Sequence, residues 1–263
     1  MVKRDQYMRL YERERKKKGG VHYDISSRER KARTIVAVLK DFIEWPLNKL
    51  NVLDIGGSTG IIDNYLSSYF GRIIGIDINY FSIQHAKNTY KKDNLIFYLA
   101  DALNLPFSNE SFDVVICSQV YEHVPDSYKL FEEIFRVLKS EGVCYFAAGN
   151  RLVLKESHYK LPLLSVIPRP LAHFYVRKIG KDSHYDIKLF SYWGLKALVK
   201  KFRCTDYTSK IISESKKYHT DYMIPPNSFK SRVGKTVLKY LYWLSPGYIW
   251  LLQKPYSARN TIP

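Results

Sequence analysis

A short apolar run that breaks into a glycine-rich turn, followed by a second apolar run closed by an acid, restricts the fold of this chain more than any other feature. It reads Val52-Leu-Asp-Ile-Gly-Gly-Ser-Thr-Gly60 and then Ile73-Ile-Gly-Ile-Asp77. Glycines at such a turn let backbone approach a ligand where a Cβ would collide. An acid at the end of the next strand accepts hydrogen bonds from ribose hydroxyls. Together they describe a nucleoside pocket at the carboxyl edge of a parallel sheet. The spacing is not G-x-G-x-x-G and no lysine follows the turn, so neither a dinucleotide fingerprint nor a Walker loop is present.

The surrounding pattern alternates strand and helix. Strands are expected at Asn51–Ile55, Arg72–Ile78, Leu95–Ala100, Phe112–Ser118 and Val143–Ala148, with helices from Ile61, near Ser82–Tyr90, and from Asp126 to Gly142. Such alternation, with strands apolar throughout, predicts a parallel sheet covered on both faces. Ligands then lie beyond the strand carboxyl ends, where Asp54, Asp77, Asp101 and Ser118 fall. Upstream, Ser27 is placed to cap a helix carrying Ile35, Val36, Leu39 and Ile43 on one face, stopped by Pro46. Downstream, a helix is expected at Tyr192–Phe202, a strand at Tyr207–Ile212 and a last strand at Tyr248–Gln253.

The order Asp-x-Gly-x-x-x-Gly at Asp54, Gly56 and Gly60 resembles motif I of the class I S-adenosylmethionine (SAM) methyltransferases, with Ser58 where the family has glycine. The likeness continues in order through Asp77, through Leu99-Ala-Asp-Ala102, through Ser111–Val124 and through Leu138–Phe146. It covers roughly residues 50–150 and is of the small-molecule, methyltransferase type 11 kind. The resemblance implies a Rossmann-like α/β fold of seven strands, mostly parallel with one antiparallel edge strand, and helices on both faces. It implies SAM as cofactor, held by Asp54, Gly56, Gly57, Ser58 and Gly60 at the turn, by Asp77 and Ile78 at the ribose, by Asp101 and Ala102 at the adenine, and by Ser118.

Charge divides the 263-residue chain. Residues 1–33 carry 12 Lys/Arg against 5 Asp/Glu, residues 34–150 carry 9 against 14, and residues 151–263 carry 21 against 6. We therefore read 1–33 as a basic arm and helix start, 34–150 as the cofactor-binding core, 151–190 as an insertion covering the acceptor site, and 191–263 as the rest of the same domain. Basic flanks suit an anionic partner: a membrane surface, a diphosphate-linked substrate or nucleic acid. They equally suit a solvated surface. The segment Leu161–Val176 is apolar but interrupted by three prolines, which excludes a strand or a long helix, and it is too short to span a bilayer. Beside basic residues it fits peripheral contact with anionic lipid, or a roof over the pocket. No apolar leader opens the chain, and the three cysteines, Cys117, Cys144 and Cys204, form no C-x-x-C pair. A reduced, cytoplasmic setting is expected.

Methyl transfer to an alcohol requires a proton acceptor, for which histidine titrates in the right range. His123 follows strand four, and His158 and His184 flank the proline-rich insertion in Ser-His-Tyr contexts. Glu156, Tyr159, Tyr185 and Asp186 stand in reserve. No two of these histidines sit one helical turn apart, so no metal site is expected. The Asn/Asp-Pro-Pro-Tyr/Phe motif of exocyclic-amine methylation is missing after strand four, as is the Pro-Cys of cytosine methylation. The expected function is therefore O-methylation of a small-molecule, saccharide or lipid-linked acceptor. An RNA methyltransferase using the basic flanks and a non-catalytic SAM-binding module are the alternatives, nucleic acid being the weaker.

Overall fold

The structure, a computed structural model, describes residues 24–182 and 184–256. Most of the basic arm read in the sequence lies outside those residues. Seven strands form one sheet: β1 (Asn51–Ile55), β2 (Arg72–Asp77), β3 (Leu95–Leu99), β4 (Phe112–Ser118), β5 (Leu138–Gly149), β6 (Arg203–Asp206) and β7 (Gly247–Gln253). Their order across the sheet is β3-β2-β1-β4-β5-β7-β6. Strands β1 to β5 pair in parallel, and β7 runs antiparallel to both neighbours, β5 and β6. The single reversed strand is thus present as expected, one place in from the edge that β6 occupies.

Alternating side chains of each strand feed two cores. Leu53, Ile74, Ile76, Val115, Phe146 and Trp250 enter one, and Val52, Ile73, Val114, Ile116, Tyr145 and Leu251 the other. This period of two on both faces is why the strands read as continuous apolar runs. Helices α1 (Ile25–Phe42), α2 (Ile61–Leu66) and α3 (Tyr80–Thr89) cover the second core. Helices α4 (Ser127–Val137) and α6 (Tyr192–Leu198) cover the first. Between them in sequence, α5 (Arg169–Lys178) packs on a small separate core of Tyr159, Leu161, Leu164, Ala172, Val176 and Ile187. Helices α7 (Thr208–Ser213) and α8 (Phe229–Tyr240) complete the α-helices among the described residues.

Several elements differ from the sequence reading, among them the helix expected at Tyr192–Phe202, which ends at Leu198. Asp24, not Ser27, caps α1: its carboxylate accepts from Ser27 N at 3.1 Å. Helix α4 ends at Val137, and β5 starts at Leu138, opposite Phe112, well before Val143. A register shift between Phe112 and Val114 absorbs the extra residues. The strand expected at Tyr207–Ile212 is instead α7, with β6 lying earlier. Asp206 turns the chain, its carboxylate accepting from Thr208 N (2.9 Å) and Ser209 N (3.2 Å), and this initiates a helix despite the β-branched residues. In the insertion, Pro168 and Pro170 stand at the start of α5, where a missing N–H costs nothing, so a ten-residue helix forms there.

Candidate active site

The strand order reverses direction between β1 and β4, which opens a crevice at their carboxyl ends. The glycine turn leaves β1 into this crevice, and the loop after β4 faces it. Gly56 adopts φ +78°, and a Cβ there would lie 2.7 Å from a Val120 methyl. Only glycine fits between the two loops with its backbone exposed. Ser58 also lies in the left-handed region, at φ 54°. This is the physical reason the methyltransferase pattern prefers glycine at that position.

Asp77 ties the turn together. One carboxylate oxygen accepts from Ser58 N at 3.0 Å and the other from Asn79 N at 2.8 Å. Burial pushes this carboxyl above its ordinary range, while those backbone bonds oppose the shift. Each oxygen keeps a further lone pair for a hydroxyl partner. Ile78, next to it, is half-buried. At the end of β3, Asp101 is exposed and accepts from Leu103 N at 2.9 Å, and Ala102 packs against the core. Ser118, half-buried, closes β4.

Beneath the turn lie two acids. Asp54 is buried, and burial pushes it up to about 7. Asp63, fully buried in the first turn of α2, is pushed well above the ordinary carboxyl range by burial and by Asp54. A Cβ on Gly57 or Gly75 would come within 2.5 or 2.6 Å of an Asp63 oxygen, so both glycines make room for it. Burial and the neighbouring acid thus favour the protonated carboxyl over the carboxylate in this pair. The sequence reading did not single out Asp63, nor the cations that α1 brings over the crevice. Arg28 acts electrostatically on Asp54 and Asp77, and Lys31, one turn on, acts on Glu122. Their spacing of three on an otherwise amphipathic helix was the available signal.

The loop after β4 and the insertion meet beside this crevice. Lys188 N donates to Glu122 O at 3.0 Å, and Phe190 N donates to the Tyr121 hydroxyl at 3.2 Å. These bonds seat the returning arm of the insertion on the β4 loop. His123 and His158 stack edge to face with ring centroids 5.1 Å apart. Nδ1 of His158 lies 2.6 Å from Glu156 Oε1, and the second oxygen of Glu156 accepts from Tyr159 N at 2.6 Å. Burial alone would push Glu156 up, but its bonds to His158 and Tyr159 hold it below the ordinary range. An ionised Glu156 assigns the imidazole proton to Nδ1 and makes Nε2 the lone-pair nitrogen of the ring. Glu122 is fully buried, neither of its oxygens has a hydrogen-bond partner among the described residues, and burial pushes it up to about 7.

Two of the three histidines read from the sequence thus come together. His184 does not join them. It is exposed and stacks on His173 of α5, 5.4 Å between centroids, while Tyr159 donates to its carbonyl. Cys117 and Cys144 are buried strand thiols, as their apolar context indicates. Two surface cavities, of about 530 Å³ beside Asn51, Arg72 and Tyr98 and about 380 Å³ beside Arg33, Lys40 and Tyr69, take in none of these groups.

Comparison with known proteins agrees with this geometry. Residues 53–146 match the family model described as a methyltransferase domain. The demethylmenaquinone methyltransferase of Lactococcus lactis is 33% identical over 130 residues, covering 46% of this chain and 52% of that protein. The ubiquinone biosynthesis O-methyltransferase of Pelagibacter ubique is 29% identical over 119 residues, covering 43% and 50%. The chain thus spans about half the length of these curated relatives. A SAM-dependent methyltransferase structure from Methanosarcina mazei superposes with a TM-score of 0.54 at 20% identity, over 84% of this chain and 98% of that one, which shows the shared fold. The glycine turn, the acid closing β2 and the strand order belong together for one reason: residues 53–146 carry a methyltransferase domain, on the fold shared with SAM-dependent methyltransferases.

Proposed function

We propose that the protein transfers a methyl group from SAM to an oxygen of a small or lipid-linked acceptor, such as a saccharide, held between the β4 loop and the insertion. The observation that carries this reading is the imidazole–carboxylate cluster of His123, His158 and Glu156, at the β4 loop whose Val120 abuts Gly56. The crevice suits the cofactor: Gly56 leaves its backbone bare, Asp77 retains acceptor capacity for ribose hydroxyls, and Arg28 complements an amino-acid carboxylate. When bound, the cofactor supplies an activated methyl on a sulfonium. The chain's own task is to orient the acceptor and exclude water, and to take the hydroxyl proton. His158, its Nδ1 fixed by Glu156, is the proton acceptor in the metal-free chain, and His123 packs against it. Asp101, Ala102 and Ser118 line the adenine side in this reading.

The quinone-related names of the relatives favour an apolar acceptor, and the insertion supports the same reading. Its exposed Leu163, Leu171 and Phe174 stand among exposed Arg169, Arg177 and Lys178. Such a face suits peripheral contact with anionic lipid headgroups. Among the described residues no helix is long and apolar enough to cross a membrane.

The test is transfer of label from methyl-labelled SAM into lipid and glycan extracts. Label in an alkali-stable ether of the lipid or glycan fraction is expected, and Glu156→Gln and His158→Gln should each lower the rate by about 10²–10⁴-fold, the usual contribution of acid–base catalysis. Label confined to RNA would reject the acceptor class.

A further inference from the structure

The sequence offered no pair of histidines at a metal-ligand spacing, yet the fold brings one carboxylate and two imidazoles to a single point. Glu122, His123 and His158 each offer a ligand atom, and all three atoms lie within 4.8 Å of one another. The ligands come from segments 35 residues apart in the chain, which only the docking of the insertion on the β4 loop unites. We infer that Glu122, His123 and His158 form a binding site for a divalent transition-metal ion of the Zn²⁺ type.

Three observations support the assignment independently of one another. The first is the donor set, two imidazoles and one carboxylate, which leaves an open coordination position in the catalytic zinc sites that use it. The second is Glu122 itself. Its carboxylate is fully buried and both oxygens lack a hydrogen-bond partner among the described residues. Buried acids are ordinarily paired or bonded to a metal, so this group points to a missing cation. The third is Glu156, whose oxygen holds His158 Nδ1 at 2.6 Å and is itself fixed by Tyr159 N. A carboxylate on the far nitrogen of a ligating histidine sets its tautomer and orients the ring. Bonds of about 2.0–2.2 Å to a common ion require the three atoms to draw closer than 4.8 Å, a movement within reach of the half-exposed His158. Among the described residues, Lys31 opposes the site, acting on Glu122 from α1.

The inference rests on the proposed function in one respect, that the acceptor oxygen reaches this cluster. There the ion offers its open position to the acceptor hydroxyl, which binds through oxygen and releases its proton to water. His158 then serves as a ligand, its Nε2 lone pair no longer available to take that proton. Imidazole ligands select Zn²⁺ and its neighbours over Mg²⁺ and Ca²⁺.

Binding is measured on the full chain without a polyhistidine tag and with neither SAM nor acceptor present, so the outcome is independent of methyl transfer. Co²⁺ serves as the spectroscopic probe and Zn²⁺ as the competitor. We expect one Co²⁺ per chain with the intense visible bands of four- or five-coordinate cobalt, abolished by one equivalent of Zn²⁺ and unaffected by excess Mg²⁺. His123→Gln, His158→Gln and Glu122→Gln should each weaken Co²⁺ binding by about tenfold or more, and Glu156→Gln by about 10–100-fold. His85→Gln, on the exposed side of α3, should bind as the parent does. Retained S-adenosylhomocysteine binding identifies the variants that are folded, and the parent spectrum alone decides should any of them not be. A parent spectrum like that of aqueous Co²⁺, or unchanged binding in the folded variants, would overturn the inference.

Discussion

At the scale of single residues, Asp77 does two jobs at once. It holds Ser58 N and Asn79 N, and in the proposed function it also meets the ribose. Replacing it with alanine removes hydrogen bonds to a charged group worth about 1.5–3 kcal/mol each. Asp77→Ala should therefore weaken S-adenosylhomocysteine about 10-fold or more in calorimetry, and an unchanged affinity would misplace the cofactor. Ser58 at φ 54° carries backbone strain of the order of 1–2 kcal/mol that a glycine would not. Ser58→Gly should leave cofactor affinity equal or tighter, measured in the same titration. Both positions were legible in the sequence because a tight turn accepts few residue types. Asp63 was not, since an acid in the first turn of a helix is ordinarily a solvent-exposed partner of the helix dipole. Only the glycines packed over it show that it is buried.

Elements repeat the lesson at larger size. Strands β1 and β4 were bounded correctly because both their faces are buried and the apolar run is unbroken. Helix α7 was misread because its tyrosine, threonine and isoleucines favour a strand, and the turn that the Asp206 carboxylate holds outweighs that preference. The loop between β3 and β4 is held by α4: Glu133 accepts from Leu105 N at 2.7 Å, and Arg136 donates to the carbonyls of Leu105 (2.9 Å) and Phe107 (2.6 Å). No local pattern announces such a brace. Helix α5 carries the prediction that belongs at this scale. Leu171 and Phe174 are 57% and 59% exposed, enough for both to enter a lipid interface. The double substitution Leu171→Ser with Phe174→Ser should reduce sedimentation with anionic phosphatidylglycerol vesicles about tenfold or more, each side chain being worth up to about 1.5–3 kcal/mol when fully buried. Equal sedimentation would remove the membrane from the proposed function.

For the whole molecule, the buried acids couple stability to pH. Asp54 and Asp63 have folded-state values raised above the ordinary carboxyl value of about 4. Between about pH 4 and the raised values the folded chain holds more protons than the unfolded one, so stability falls as pH rises through that interval. One such proton changes stability by at most about 1.4 kcal/mol per pH unit. Asp63→Asn removes one of the two buried carboxyls and its charge from beside Asp54, so its melting temperature should fall less than the parent's between pH 5 and pH 8 in calorimetry. Parallel curves would mean that the buried pair does not set the pH dependence. Composition, alternation and the glycine turn were enough to specify a doubly covered sheet and its nucleotide-binding edge, because those features depend on burial and backbone freedom within short stretches of chain. The meeting of Glu122, His123, Glu156 and His158 was settled by tertiary structure alone. Their chemistry depends on distances between side chains, and the docking of one loop on another sets those distances without leaving any period in the sequence.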